Sequence, residues 1–161
     1  MPLLFNLHHL ETKDLRLAGE LAIEELGLAN IDELIHAHQP LKHDLEVQKL
    51  TEAILVQGQL HLSLECECVR CLKPFPYDLV LDPWTCLLPL QGEDQVLVAN
   101  DCVDLTPYVR EDILLEFPRQ PLCEPECGGL LNNPQSRAKK PALGRKEEVS
   151  PVWAGLNKLK L

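Results

Sequence analysis

The chain is short of aromatic side chains, of positive charge and of long apolar runs, and each shortage removes a class of protein. Aromatics are 4% of 161 residues while the hydrophobic fraction is 45%, so aliphatic side chains must fill the core, and a chain this apolar is not disordered throughout. Lys and Arg number 15 against 25 Asp and Glu, for a net charge of -10. A general basic surface for gripping nucleic acid is thereby excluded, because a polyanion is repelled at long range. No window approaches the length of apolar residues that a membrane span needs, and the N-terminal MPLLFNLHHLETK has neither a basic region nor a small-residue cleavage site. The expected compartment is the cytoplasm, and no membrane partner is expected. The G-x-x-x-x-G-K-[ST] loop, the G-x-S-x-G elbow, the H-E-x-x-H pair and the dinucleotide glycine fingerprint are also missing, and no carboxylate pair stands out for acid–base work. The chain is therefore expected not to be an enzyme, and no small-molecule substrate is evident.

What is present is alternation. From Ile54 to Glu67, Ile54, Val56, Gly58, Leu60, Leu62, Leu64 and Cys66 share one face against Gln57, Gln59, His61, Ser63, Glu65 and Glu67, the period of a long strand with one buried side. Leu45 to Leu50 and Tyr77 to Leu88 are its expected neighbours, in a register that a one-residue slip would invert. Leu15, Leu17, Leu21 and Ile23 alternate with Arg16, Glu20 and Glu24 as a further strand, with a bend at Gly19. Asn30 followed by Glu33 resembles a capping box, and Ile31, Leu34, Ile35 and His38 fall at helical spacing, which predicts a short helix before Pro40. Val96 to Ala99 reads as a short strand between polar turns at Gln91 to Asp94 and at Asn100 and Asp101. Thr106 and Pro107 start a helix whose stripe is Val109, Ile113, Leu114 and Phe117 and which Pro118 ends.

The length suits one domain. Residues 1–131 are read as that domain, 132–150 as a flexible basic linker, and 151–161 as an amphipathic segment carrying Val152, Trp153, Leu156, Leu159 and Leu161. The expected fold class is α+β: a mainly antiparallel β-sheet or partly open barrel covered by one helix, with a cysteine knuckle region and a flexible C-terminal tail.

Seven cysteines in a reducing compartment point to thiols or metal-bound thiolates rather than a disulfide framework. Cys68 and Cys71 form a C-x-x-C turn at the end of the long strand, and Cys123 and Cys127 form a C-x-x-x-C turn in the stretch PLCEPECGGL. Two such turns place four thiolates tetrahedrally around Zn²⁺ if the sheet brings them together. Free thiols at turns are the alternative. A redox pair is disfavoured, since this C-x-x-C ends a strand instead of opening a helix. Cys66, Cys86 and Cys102 read as small core hydrophobes. His36, His38 and His43 lie in HAHQPLKH, read as a proline-interrupted polar connection in which solvated histidines are expected rather than ligands.

The stretch LECECVRCLKPFPYDLVL, with Cys68, Arg70, Cys71, Pro74 and Phe75, resembles the hallmark strand and C-x-R-C turn of the YceD family. VDLTPYVREDILLEFPRQPLC, residues 103–123, is similar to that family's Asp-Leu helix running into a Pro-x-Cys, and SPVWAGLNKLKL to its closing tail. The three blocks stand in the family's order. The resemblance implies a non-enzymatic factor linked to synthesis, processing or stability of large-subunit ribosomal RNA, with ribosomal RNA or a ribosome-assembly protein as partner. Many relatives carry further cysteines after the last turn, where Leu131, Asn132 and Asn133 stand here, so Cys68, Cys71, Cys123 and Cys127 are the whole candidate ligand set.

Two kinds of contact follow. For RNA, the candidates are Arg70, Arg137, Lys139, Lys140, Arg145, Lys146 and Lys158, whose grip would weaken steeply with salt. For a protein-binding adaptor without RNA contact, which the acidic charge favours, Trp153, Leu156 and Leu159 are the anchors. Arg70 also has a structural alternative, ordering the knuckle.

Overall fold

The stretch that alternates most strictly in sequence is also the strand around which everything else is arranged. A computed structural model describes residues 2–11, 13–29 and 31–130. In chain order the elements are β1 (Leu4–Asn6), α1 (Leu7–Leu10), β2 (Leu15–Leu21), α2 (Ile23–Leu26), β3 (Ile35–Ala37), β4 (Leu41–Lys49), β5 (Ala53–Glu67), β6 (Pro74–Pro89), β7 (Val98–Ala99), β8 (Cys102–Asp104) and α3 (Thr106–Leu115). All strand pairings are antiparallel. The linker at 132–150, the segment at 151–161 and Asn30 lie outside the described residues.

β5 pairs with β6 along its whole length on one side, and with β4 and then β3 on the other. β2 completes this curled sheet beyond β4. Ile54, Val56, Leu60, Leu62, Leu64 and Cys66 are each no more than 3% exposed, so the apolar phase of β5 is the buried phase. At about 1.5–3 kcal/mol for each large aliphatic side chain, this row is the main local source of stability. Leu41, Leu45 and Val47 of β4 and Leu79, Trp84 and Leu88 of β6 join it.

Gly58 is where backbones approach most closely: a Cβ there would strike the Asp44 carbonyl and stand 2.8 Å from the Leu45 Cα. One residue later, Gln59 faces two residues of β6, Asp82 and Pro83, and the register shifts. The peptide between those two is cis, and the Gln59 amide donates to the Asp82 carboxylate at 2.8 Å. The bulge re-aims β6 so that Trp84 turns inward.

A second, three-stranded sheet has the order β1-β8-β7, pairing the N-terminus with residues some hundred positions later. α3 sits beside it. Val109 and Ile113 are fully buried, and the Trp84 indole N–H donates to Asp112 at 2.7 Å, tying the helix to β6. Arg110 donates to the Leu26 carbonyl at 2.8 Å, tying it to α2.

Several sequence expectations need correction. The helix over 31–38 does not form: Asp32 accepts the Leu34 amide in a turn, and Ile35, His36 and Ala37 pair with Cys66, Glu65 and Leu64. Docking on the exposed edge of β5 outweighs a weak helical period. The strand begun at Leu15 stops at Leu21, and Ile23 opens α2, which closes on Gly27 at φ 60°. Strand pairing near Val96 is confined to Val98 and Ala99. Thr106 does not cap its helix, since its hydroxyl accepts the Leu3 amide at 2.9 Å instead. His36 and His43 lie within β3 and β4, with only His38 in the break before Pro40. Burial holds the His43 imidazole below its usual pKa.

Candidate metal centre

The turn joining β5 to β6 carries Cys68 and Cys71. The Cys68 amide donates to the Lys73 carbonyl at 3.0 Å, and the Leu72 amide to the Cys68 carbonyl at 2.9 Å. This tight closure forces Leu72 to φ 58°, a conformation that costs a non-glycine residue of order 1 kcal/mol or more. The second turn follows α3. Its Cys127 amide donates to the Glu124 carbonyl at 3.1 Å.

Three contacts lock one turn to the other. The Val69 amide donates to Pro121 O at 3.0 Å. The Arg70 guanidinium donates to Cys127 O at 3.1 Å. Gly129, at φ 75°, lies against the Arg70 carbonyl, where a Cβ would stand 3.4 Å away. Arg70 thus orders the knuckle through a carbonyl and not through an ion pair.

The 51 residues between Cys71 and Cys123 are spent on β6, the small sheet and α3, and the chain returns to its starting point. Cys68 Sγ lies 3.8 Å from Cys127 Sγ, and Cys71 Sγ lies 3.6 Å from Cys123 Sγ. All four sulfurs are within 4.8 Å of one another. A tetrahedral ion with metal–sulfur bonds of about 2.3 Å has sulfur–sulfur edges of about 3.8 Å. The set therefore fits such an ion with small adjustments, since one edge already matches, the Cys71–Cys123 edge is slightly short and the others are at most 4.8 Å, and it is the one such group among the described residues.

The electrostatics favour the anion at Cys68 and oppose it at Cys71 and Cys123. Backbone N–H groups of Cys123, and then of Cys71 and Arg70, aim at the Cys68 sulfur and draw its pKa down to about 6 in spite of burial. The Cys71 thiol also has a favourable amide, that of Lys73, but burial and the sulfurs of Cys68 and Cys127 outweigh it and the pKa is raised. Cys123 is pushed up to about 12, chiefly by Cys71 and then by burial and the remaining sulfurs. Four crowded thiols shed their protons together only around a cation, which supplies the charge that holds them.

The other cysteines stay apart from this cluster. Cys66 is 1% exposed in the core. Cys86 is half-buried, and burial raises its thiol to about 11. Cys102 takes a contact from the Asn6 amide at 3.6 Å. Arg137, Lys139, Lys140, Arg145, Lys146, Trp153 and Lys158 lie outside the described residues. What sequence reasoning missed is the supporting frame: the amide of Val69, the left-handed Leu72 and the carbonyl of Cys127. None of these left a signal; the neighbouring glycines at 128 and 129, of which Gly129 lies against the Arg70 carbonyl, did.

Fold and site together define an antiparallel β protein closed at one end by a four-cysteine knuckle suited to a metal ion. A family model described as "Large ribosomal RNA subunit accumulation protein YceD" matches residues 56–160, and the chain belongs to that family. An uncharacterized protein of Mycobacterium tuberculosis is 32% identical over 124 residues, which is 70% of this chain and 58% of the relative; an uncharacterized protein of Mycobacterium bovis matches to the same extent. The chain thus spans 58% of the length of these mycobacterial relatives. The uncharacterized protein YlbN of Bacillus subtilis is 25% identical over 175 residues, covering 97% of this chain and 94% of the relative. No solved structure matches the chain.

Proposed function

We propose that this protein is a non-enzymatic cytoplasmic factor that supports accumulation of large-subunit ribosomal RNA, and that zinc in the knuckle holds its recognition surface together. The observation that carries the reading is the family match over residues 56–160, which includes all four converging cysteines. Among the described residues no helix is long and apolar enough to cross a membrane. The groove beside β5 and β6 is lined by Leu64, Pro74, Phe75 and Pro76 with Ser63, Glu65, His38 and Gln39, a lining that offers no activated nucleophile. Four-thiolate sites are closed, with no open position for substrate, so zinc would act as a structural tie.

In this reading the phosphate contacts belong to Arg137, Lys139, Lys140, Arg145, Lys146 and Lys158. Residues 131–161 hold seven Lys and Arg against two Glu, whereas residues 1–130 hold eight Lys and Arg against 23 Asp and Glu. Charge of opposite sign is thus segregated along the chain, and RNA is drawn to the basic part alone. The test is depletion in a host cell, with the ratio of large- to small-subunit ribosomal RNA as readout. The ratio is expected to fall and to be restored by the parent chain, but not by Cys68→Ser. An unchanged ratio in depleted cells refutes the function. Metal analysis is expected to give one zinc per chain, lost in the variant.

A further inference from the structure

Leu72 occupies a left-handed position, φ 58°, that glycine adopts at no steric cost. The residue is nevertheless 54% exposed. The chain therefore bears the strain of a bulky residue there without burying it. Val69, three residues earlier in the same turn, is 40% exposed, and Leu130, just past the Gly129 that lies against the Arg70 carbonyl, is 50% exposed. Three aliphatic residues are thus presented to solvent on or beside two turns that hydrogen bonds tie together.

The charge around them selects a partner. Glu124 and Glu126 are exposed and Glu67 is half-buried, against Arg70 and Lys73. Four thiolates around a divalent ion would add two further negative charges, so with the ion bound the tip is anionic, on a body already short of positive charge. Phosphate is repelled by such a surface, whereas a lysine- and arginine-rich protein is attracted to it. We propose that the knuckle tip docks a basic protein segment, with Leu72 and Val69 as apolar anchors and Glu67, Glu124 and Glu126 meeting its cations. Apolar contacts ringed by complementary charge are the arrangement from which localised binding energy arises. The choice of ribosomal proteins as probe rests on the function proposed above.

The test uses the full chain with its metal content measured. One probe is the RNA-free protein fraction of large ribosomal subunits, and the other is protein-free large-subunit ribosomal RNA. With p-benzoylphenylalanine in place of Leu72, irradiation is expected to crosslink a basic ribosomal protein, identified by mass spectrometry, in a ribonuclease-resistant and salt-weakened manner. Leu72→Gly is expected to keep its metal and to melt no lower than the parent, because strain is relieved, yet to bind that protein at least about tenfold more weakly. Glu124→Lys with Glu126→Lys, which leaves the turn alone, is expected to weaken binding as well. Crosslinks to RNA alone, no crosslink to either probe, or undiminished binding by both variants overturns the proposal. Normal ribosomal RNA levels in cells carrying either weakened variant would overturn the biological role of this surface while leaving the proposed function standing, since that function is tested by depletion of the whole chain.

Discussion

The sheet around β5 and the cysteine knuckle hold their shape by different physics. In the sheet, a row of aliphatic side chains is removed from water and each neighbour contributes a share. At the knuckle, the exposed Val69, Leu72 and Leu130 leave little apolar area to bury, and order comes from backbone hydrogen bonds and four converging sulfurs. A burial-driven region resists change in solvent composition but suffers from any cavity. A region held by hydrogen bonds and, in the proposed function, by a metal tolerates change in its surroundings but depends on ligand chemistry. The teaching of the contrast is that the two regions should fail independently.

The largest effect expected is in the sheet. Gly58→Ala drives a methyl group into the backbone of Asp44 and Leu45, and urea unfolding should show a loss of roughly 3 kcal/mol or more. A loss under 1 kcal/mol would mean that β4 and β5 are not as tightly apposed as described. Next, Leu62→Ala empties a fully buried position and is expected to cost about 2–5 kcal/mol. Its metal content, measured below the unfolding transition, should be unchanged. Metal loss at that stage would show that sheet and knuckle form one cooperative unit.

Removal of metal by a chelator is the converse experiment. Amides at 68–73 and 121–129 are expected to exchange quickly with solvent while those of β4 and β5 keep their protection. Loss of protection across β5 would break the comparison. Trp84→Phe deletes the indole donor to Asp112; a bond to a charged acceptor is worth about 1.5–3 kcal/mol, so α3 should loosen and the melting temperature should fall.

The smallest effect is a pH slope. Burial lowers the His43 pKa from 6.5, against the pull of Asp44. The unfolded chain then takes up the proton more readily than the folded one. Stability contributed by this group is therefore complete above about pH 6.5 and declines as pH falls from there towards the folded pKa. His43→Gln should flatten stability between pH 7 and 5 relative to the parent, and an unaltered slope would remove His43 as the cause.

How much of this was legible in the sequence depended on how local the cause was. The alternation from Ile54 to Cys66 announced its strand and its buried face because period two is written residue by residue. Pro107 and the Val109, Ile113 stripe marked α3 for the same kind of reason, and the two cysteine pairs marked the knuckle by spacing alone. The segment from Ile31 to His38 misled, because its weak helical period met an open edge of β5 that lies far off in sequence. β1 left no signal, since its partner β8 is about a hundred residues away.

The sequence by itself determined which side chains face inward on the central strands, where the helix after Thr106 lies, and which four cysteines are candidates for a metal. Only the tertiary structure decided that those cysteines meet, that Gly58 is required by a backbone rather than by a turn, that Thr106 serves Leu3 instead of its own helix, and that Leu72 is strained and exposed. The physical reason is range: periodicity and spacing are set by neighbours along the chain, whereas distances between sulfurs and the space beside a backbone are set by every segment packed around them.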